Sequence, residues 1–336
     1  MEFGVFDHLD RAQQNLQAYY EDRLRIVELY DEIGIHRYHV AEHHGTPLGM
    51  SPSPSVYLAA VSQRTKNLRF GPMIYAAPLY HPLRLAEEIC MVDQMSGGRL
   101  ELGFGRGASP VEASFYGWSP EDMQGAYVET VEIILDALQT GKLNYDGVHY
   151  NFKDIPLCLE PCQKPYPPMW YGIHSTESAA RVAKERFNVI SLDSAEETRT
   201  YVDSYRASWR EDNTPEVAEP CIGLSYFIVM AEDEDEALAV ARRSYPVWHK
   251  SFNSLFTLYG TVPRHQRPAD FDGLVAEGRA IAGTPETVTA FLKGACETSA
   301  INYLVGQFAF GDQSYAESER TIRLFAEHVM PVLKDL

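Results

Sequence analysis

The sequence predicts an α/β protein built as a (β/α)8 barrel, a TIM barrel, with insertions. Three observations predict it. Eight apolar, strand-like runs each lead into a helix-like segment, the alternation that parallel sheets with outer helices require. The chain has 336 residues, which suits one barrel domain with additions. Residue types able to do chemistry gather where the strands stop, the functional face of such a barrel.

The elements follow in order. MEFGVF at the start is a strand, and residues 18–33 form a helix with Leu24, Val27, Leu29 and Ile33 among charges, stopped at Gly34. HRYHVAE (36–42) is the second strand. The helix after it opens with Ser53 as cap and Pro54 in its first turn. NLRFGPMIYA (67–76) is the third strand, HPLRLAEEICMVDQM (81–95) an amphipathic helix, RLELGFG (99–105) the fourth strand, and residues 127–141 a helix ended by Gly141. Residues 142–168 break the rhythm: KLNYDGVHYNF reads as a hairpin on an Asp-Gly turn, followed by a proline-rich return, so this is an insertion. MWYGI (169–173), FNVISL (187–192) and CIGLSYFIVMA (221–231) are strands five to seven, each with its helix. Residues 249–283 are irregular and lid-like. Thr284 and Pro285 open the next helix, AINYLVGQF (300–308) is strand eight, and a last helix closes the chain. One domain over 1–336 is expected; a doubly wound open sheet is the rival arrangement.

Composition narrows the function. A net charge of −18 without a basic block argues against nucleic acid and anionic membrane as partners, and an anionic ligand needs local groups to hold it against the overall field. No window approaches about 18 apolar residues, and the N-terminus resembles no secretory signal, so a cytoplasmic protein is expected. The five cysteines are odd in number and irregular in spacing. They read as small buried hydrophobes in a reducing compartment.

The strand ends carry Asp7 and His8, then Glu42, His43 and His44, Tyr75 to Pro78, Gly105 to Gly107, Ile173 to Ser175, Leu192 and Asp193, and Gly306 to Phe308. Adjacent histidines at a strand end point in opposite directions and cannot easily chelate one ion, and no H-E-x-x-H spacing is present. No metal is therefore expected. General acid–base work by His43 and His44 is the better reading, because imidazole titrates at roughly 6.5. Glu42 orients a ring or caps a loop. GFGRGA (103–108) fits the dinucleotide fingerprint, but SPVEASFYGW follows where a helix must begin, and the stretch follows the fourth strand. A dinucleotide site is rejected. The glycines still let backbone approach a ligand, with Arg106 as the cation of this rim; a tight turn with a solvated arginine is the plainer alternative. His174, Ser175 and Ser178 surround a helix N-terminus that offers an anion seat. Tyr75, Phe104, Tyr226 and Phe308 fill the core or wall a pocket for a planar ring.

With these residues in view, the chain resembles the bacterial luciferase family, flavin-dependent monooxygenases on a (β/α)8 barrel. The resemblance rests on MEFGVF, AEHHG, HPLRLAEEICMVDQMSGGRLELGFGRG (81–107), GTPETV and FAEHVMPVLK, across nearly the whole chain. It implies that reduced FMN, supplied by a separate flavin reductase, binds at the barrel mouth and reacts with oxygen to a flavin hydroperoxide that oxygenates a small organic substrate. His43 matches the family's catalytic histidine. Met73–Ile74 matches a bulge with a non-proline cis peptide that supports the flavin ring, Arg106, Ser175 and Ser178 match positions around the flavin phosphate, and Tyr75, Gly105 and His174 are expected to bind the cofactor with them. This sequence departs from luciferase at Gly105 (a reactive cysteine there), His174 (an acid), Tyr127 (an arginine) and near Leu192 and Asp193 (a tryptophan), and its 249–283 segment is shorter than the luciferase lid. A long-chain aldehyde substrate and light emission therefore do not carry over. The alternatives are a deazaflavin-dependent hydride-transfer enzyme on the same barrel and a non-catalytic flavin-binding subunit. Val56, Leu58, Val61, Leu83, Leu85, Ile89, Met91 and Val92 give the helices after strands two and three apolar positions on more than one face, as in the family's dimers, so a homodimer is expected; packing within the core accounts for the same pattern.

Overall fold

In the computed structural model of this protein, which describes residues 1–336 apart from Gln13, Ala108, Pro215 and Arg264, β1 (Glu2–Asp7) runs into α1 (Leu16–Glu32) and β2 (Arg37–Val40). The Asn15 side chain caps α1 by accepting from the N–H groups of Gln17 and Ala18. Next come α2 (Pro54–Arg64), β3 (Arg69–Pro72), β4 (Tyr75–Ala76), α3 (Pro82–Ser96), β5 (Leu102–Gly105), α4 (Pro110–Phe115) and α5 (Met123–Thr140). A hairpin of β6 (Lys142–Asp146) and β7 (Asn151–Pro156) leaves the barrel before β8 (Met169–Ile173), α6 (Thr176–Lys184), β9 (Asn188–Ser191), α7 (Ala195–Asp212), β10 (Ile222–Met230) and α8 (Glu234–Phe252). The chain ends through α9 (Ser254–Leu258), α10 (Phe271–Ala276), β11 (Ala280–Gly283), α11 (Pro285–Ser299), β12 (Tyr303–Gln307), α12 (Tyr315–Leu324) and, after a π turn, α13 (Met330–Leu333).

The strands pair in parallel in the order β3-β2-β1-β12-β10-β9-β8-β5-β4, and a bridge from Phe70 to Leu100 brings the two edges together. The fold is the expected (β/α)8 barrel, nearly closed. Several local expectations are corrected. The third strand is split into β3 and β4 by a cis peptide between Met73 and Ile74. β11, within the segment read as irregular, pairs with the outer half of β10; its Ala-Ile-Ala-Gly sequence is too short and small to read as a strand. A helix does begin after the glycine-rich stretch: α4 is entered through Pro110, with the Ser109 hydroxyl accepting from the Glu112 N–H. The rejection of a dinucleotide site therefore rests on the barrel pairing of β5 with β4 and β8. Ala108, which closes that stretch, lies outside the described residues, as does Arg264 of the lid-like segment. The hairpin turn spans Gly147–Tyr150, with the Glu129 carboxylate accepting from the N–H groups of Val148, His149 and Tyr150. Cys158 and Cys162 are exposed, unlike the buried Cys90 and Cys296.

Outward-facing strand residues pack against the helices as one large core. Inside the barrel, Phe6, Ala41, Trp170, Ile190, Tyr303 and Val305 form a smaller one. Gly4 is required there, since a Cβ would sit 1.6 Å from the Tyr303 hydroxyl. The base of the barrel is polar and self-paired. Glu101, 1 % exposed, accepts from Arg37, Arg69 and the Trp170 indole N–H at 3.2, 2.6 and 2.5 Å. On the outside, Leu58, Val61, Leu85 and Ile89 are buried, whereas Val56, Met91 and Met95 are exposed. Among the described residues no helix is long and apolar enough to cross a membrane.

Candidate active site

The barrel mouth holds two joined chambers. The inner one, about 240 Å³, is lined by His8, Glu42, His43, Glu112, Arg267 and Arg279 among aromatic walls that include Phe227, Trp248 and Phe252. The outer one, about 600 Å³, is lined by Phe104, Gly105, Arg106, Gly107, Tyr171 and Gly172. Met73, Ile74, His174 and Leu192 border both.

His43 and His44 diverge as adjacent strand-end residues must. Nδ1 of His43 lies 3.1 Å from Glu112 Oε1, and the other Glu112 oxygen accepts the His44 backbone N–H at 2.9 Å. An ionised carboxylate only accepts, so Nδ1 of His43 carries the proton and Nε2 has no hydrogen-bond partner among the described residues. His44 is saturated: Nε2 meets Glu42 Oε1 at 2.8 Å and Nδ1 meets the Tyr116 hydroxyl at 2.8 Å. Glu42 is saturated as well, its second oxygen accepting from the Ala76 N–H and the Tyr80 hydroxyl. Glu42 and His44, grouped with His43 by the sequence, thus brace the split third strand, and of the pair of histidines only His43 lines the chamber.

His8 stacks on His43, with ring centroids 6.0 Å apart and planes 18° apart, and packs edge-on against Trp248. Burial first, then the charges of His43 and Arg267, hold its imidazole well below the usual value, so it is neutral. On the opposite wall His174 Nδ1 lies 3.2 Å from Asp193 Oδ2 and its ring stacks on His265. Burial raises the Asp193 carboxyl, but the His174 hydrogen bond and charge, with Arg279 and Arg267, outweigh it and hold it below the usual range.

The other expected residues divide. Gly105 and Arg106 line the outer chamber, and a Cβ on Gly105 would come within 2.9 Å of Ile74. Ser175 and Ser178 bond each other at the start of α6 and do not border either chamber. Tyr75 turns into the core, its hydroxyl 2.9 Å from Ser55. Of the four aromatics set aside for a pocket, Phe104 lines it, while Tyr226 and Phe308 are core. On β10 the inward residues are Ser225 and Phe227, one position either side of Tyr226, as strand alternation demands. Sequence reasoning missed Glu112, Arg267 and Arg279. The Ser109–Pro110 helix start was the available signal for Glu112; no local signal marks the arginines.

The barrel as a whole, helices and insertions included, has relatives among known proteins. The family model for luciferase-like monooxygenases matches residues 1–300, and the chain belongs to that family. It is 37% identical to an uncharacterized protein of Sinorhizobium fredii, over 92% of this chain and 91% of that one. It is 25% identical to the oxygenase component of a flavin-dependent trigonelline monooxygenase of Acinetobacter baylyi, over 76% and 72% of the two chains. Among solved structures, the monooxygenase RslO1 of Streptomyces bottropensis superposes with a TM-score of 0.87 at 27% identity, covering 99% of both chains. The fold is also shared, at 21% identity and a TM-score of 0.80, over 98% of both chains, with the oxygenating constituent of 3,6-diketocamphane monooxygenase of Pseudomonas putida in complex with FMN. At 19% and 0.72, over 99% of both chains, it is shared with a coenzyme F420-dependent tetrahydromethanopterin reductase of Methanopyrus kandleri.

Proposed function

We propose that this chain is the oxygenating component of a flavin-dependent monooxygenase, using reduced FMN from a separate flavin reductase and oxygen to oxygenate a small organic substrate. The observation that carries this reading is the junction of the chambers at Met73 and Ile74, beside a histidine whose Nδ1 is held by Glu112. The outer chamber fits FMN in shape and charge. Its walls are apolar and glycine-lined, suited to a planar ring, and Arg106 is the arginine among its described lining residues, placed for a phosphate. The Gly105 backbone leaves the space that a side chain would take from Ile74.

When bound, reduced flavin supplies the electrons that let one atom of oxygen enter the substrate while the other leaves as water. The protein's own contributions follow from the geometry. Glu112 fixes the ring of His43 so that Nε2 can take up and return a proton at the inner chamber. Phe227, Trp248 and Phe252 keep water from that space. Glu42, through Ala76, and His44, through Tyr116, position the elements around it.

The test is an anaerobic titration with photoreduced FMN and, separately, reduced deazaflavin, followed by an oxygen pulse. Binding of reduced FMN and oxygen-dependent transfer to a substrate are expected. Binding of deazaflavin with no binding of FMN selects the hydride-transfer reading, which the likeness to an F420-dependent fold keeps in view. Binding of FMN without turnover under any reductase selects a non-catalytic subunit.

A further inference from the structure

Two arginines of the inner chamber take no part in the chemistry above, and they are not equivalent. Arg279 is committed: it lies 3.2 Å from Asp193, 3.6 Å from Glu197 and 3.3 Å from Glu277. Arg267 donates to the Leu192 carbonyl at 3.3 Å, and no carboxylate among the described residues forms an ion pair with it. It is half-buried and faces the same space as His43 and Trp248. Burial, then the adjacent charge of Arg279, disfavours its charged form, and Asp193 and Glu277 offset this only in part. A guanidinium kept from water without a counter-ion is costly, and its planar fork matches a carboxylate. A net charge of −18 repels anions from the protein as a whole, so a cation inside the chamber with no ion-paired carboxylate among the described residues singles out ligands that bring their own negative charge. Arg106 serves the outer chamber, and Arg267 is not among that chamber's lining residues.

We infer that the substrate is an organic acid whose carboxylate pairs with Arg267 while its apolar, planar body packs against Phe227, Trp248 and Phe252. This rests on the monooxygenase reading of the inner chamber as the substrate site.

The test uses the full-length protein and two isosteric probes, 2-naphthoate and 2-naphthamide, in calorimetric titrations with and without reduced FMN. In the wild type the acid is expected to bind about tenfold or more tightly than the amide, as for a charge-assisted pair. Arg267→Met removes that preference and Arg267→Lys restores part of it, with reduced-FMN affinity unchanged in both. Equal binding of the probes in the wild type, saturable binding of neither, or a preference that survives Arg267→Met overturns the inference. So does a selective loss of reduced-FMN affinity in Arg267→Met, which would give the arginine to the cofactor. The wild-type comparison stands even if a variant does not fold. A carboxylate preference that depends on Arg267 in a protein that binds no reduced FMN would overturn the monooxygenase reading and leave the anion site in place.

Discussion

His39 and His43 lie four positions apart, one in the base of the barrel and one at its mouth, and their surroundings put them to different uses. His39 is buried, with Nε2 2.9 Å from the Tyr303 hydroxyl and its ring edge-on to Trp170. Burial, then the charge of Arg37, pushes its pKa down to about 3. Its Nδ1 has no hydrogen-bond partner among the described residues, which in a neutral ring is a smaller cost than an orphaned charge. His43 has its protonated nitrogen held by Glu112 and its other nitrogen at the chamber. The base spends its charged groups on one another, as Glu101 does with Arg37 and Arg69. The mouth leaves an imidazole nitrogen and a guanidinium facing space. An acid–base group is marked by an unfilled position beside a filled one, more than by burial.

Breaking the base should cost the most. Glu101→Ala strips Arg37, Arg69 and Trp170 of a shared acceptor in a buried site, and a loss on the order of 3–5 kcal/mol is expected in urea melts. Product formed per reduced flavin should be unchanged in the protein that still folds; a coupling defect at full stability would erase the division between base and mouth. At the mouth, His43→Ala should lower product yield by about 100-fold, with stability and reduced-FMN binding retained and hydrogen peroxide appearing instead. Full product yield from that variant would take His43 out of the reaction. The effect at His39 is nil at neutral pH, where the other two are measured, and grows as a pH slope. Above about pH 6.5 the folded and unfolded chains both hold the His39 imidazole neutral. As pH falls towards 3 the unfolded chain takes up a proton that folded His39 refuses, so stability falls by up to about 1.4 kcal/mol per pH unit. His39→Gln, which keeps a hydrogen-bonding group for Tyr303 and does not titrate, should flatten the melting-midpoint curve between about pH 6 and pH 4; parallel curves would assign the slope to other groups.

How much of this could be read in the chain follows from distance and parity. Runs such as MWYGI and FNVISL are apolar and bounded by turn residues, so β8 and β9 stand out. The break between β3 and β4 lies inside an unbroken strand-like run and came into view only through resemblance. β11 hides in the four residues Ala-Ile-Ala-Gly, whose partners on β10 lie 53 positions earlier. His43 was visible because strand two stops beside it. Its partner Glu112 is 69 residues away on a six-residue helix, and Arg267 is 75 residues from the Leu192 carbonyl it touches, separations that only the folded barrel closes. Tyr226 was misplaced by one position of strand alternation, an error that no composition argument corrects.

β10 is nine residues long, and its two halves answer to different neighbours. Ile222–Leu224 pairs with β9, and Gly223–Phe227 with β12, whereas β11 touches only Phe227–Met230. Barrel closure and the pairing of β11 therefore meet at Phe227, which belongs to both ladders and lines the inner chamber. The stretch from the end of α8 to the start of β11, which carries Arg267, holds no ladder pair of the barrel and is tied to it by side chains instead, with Phe271 and Leu274 buried against Tyr245 and Trp248. Its exposed positions can therefore vary without disturbing a strand, whereas Phe271 and Leu274 cannot.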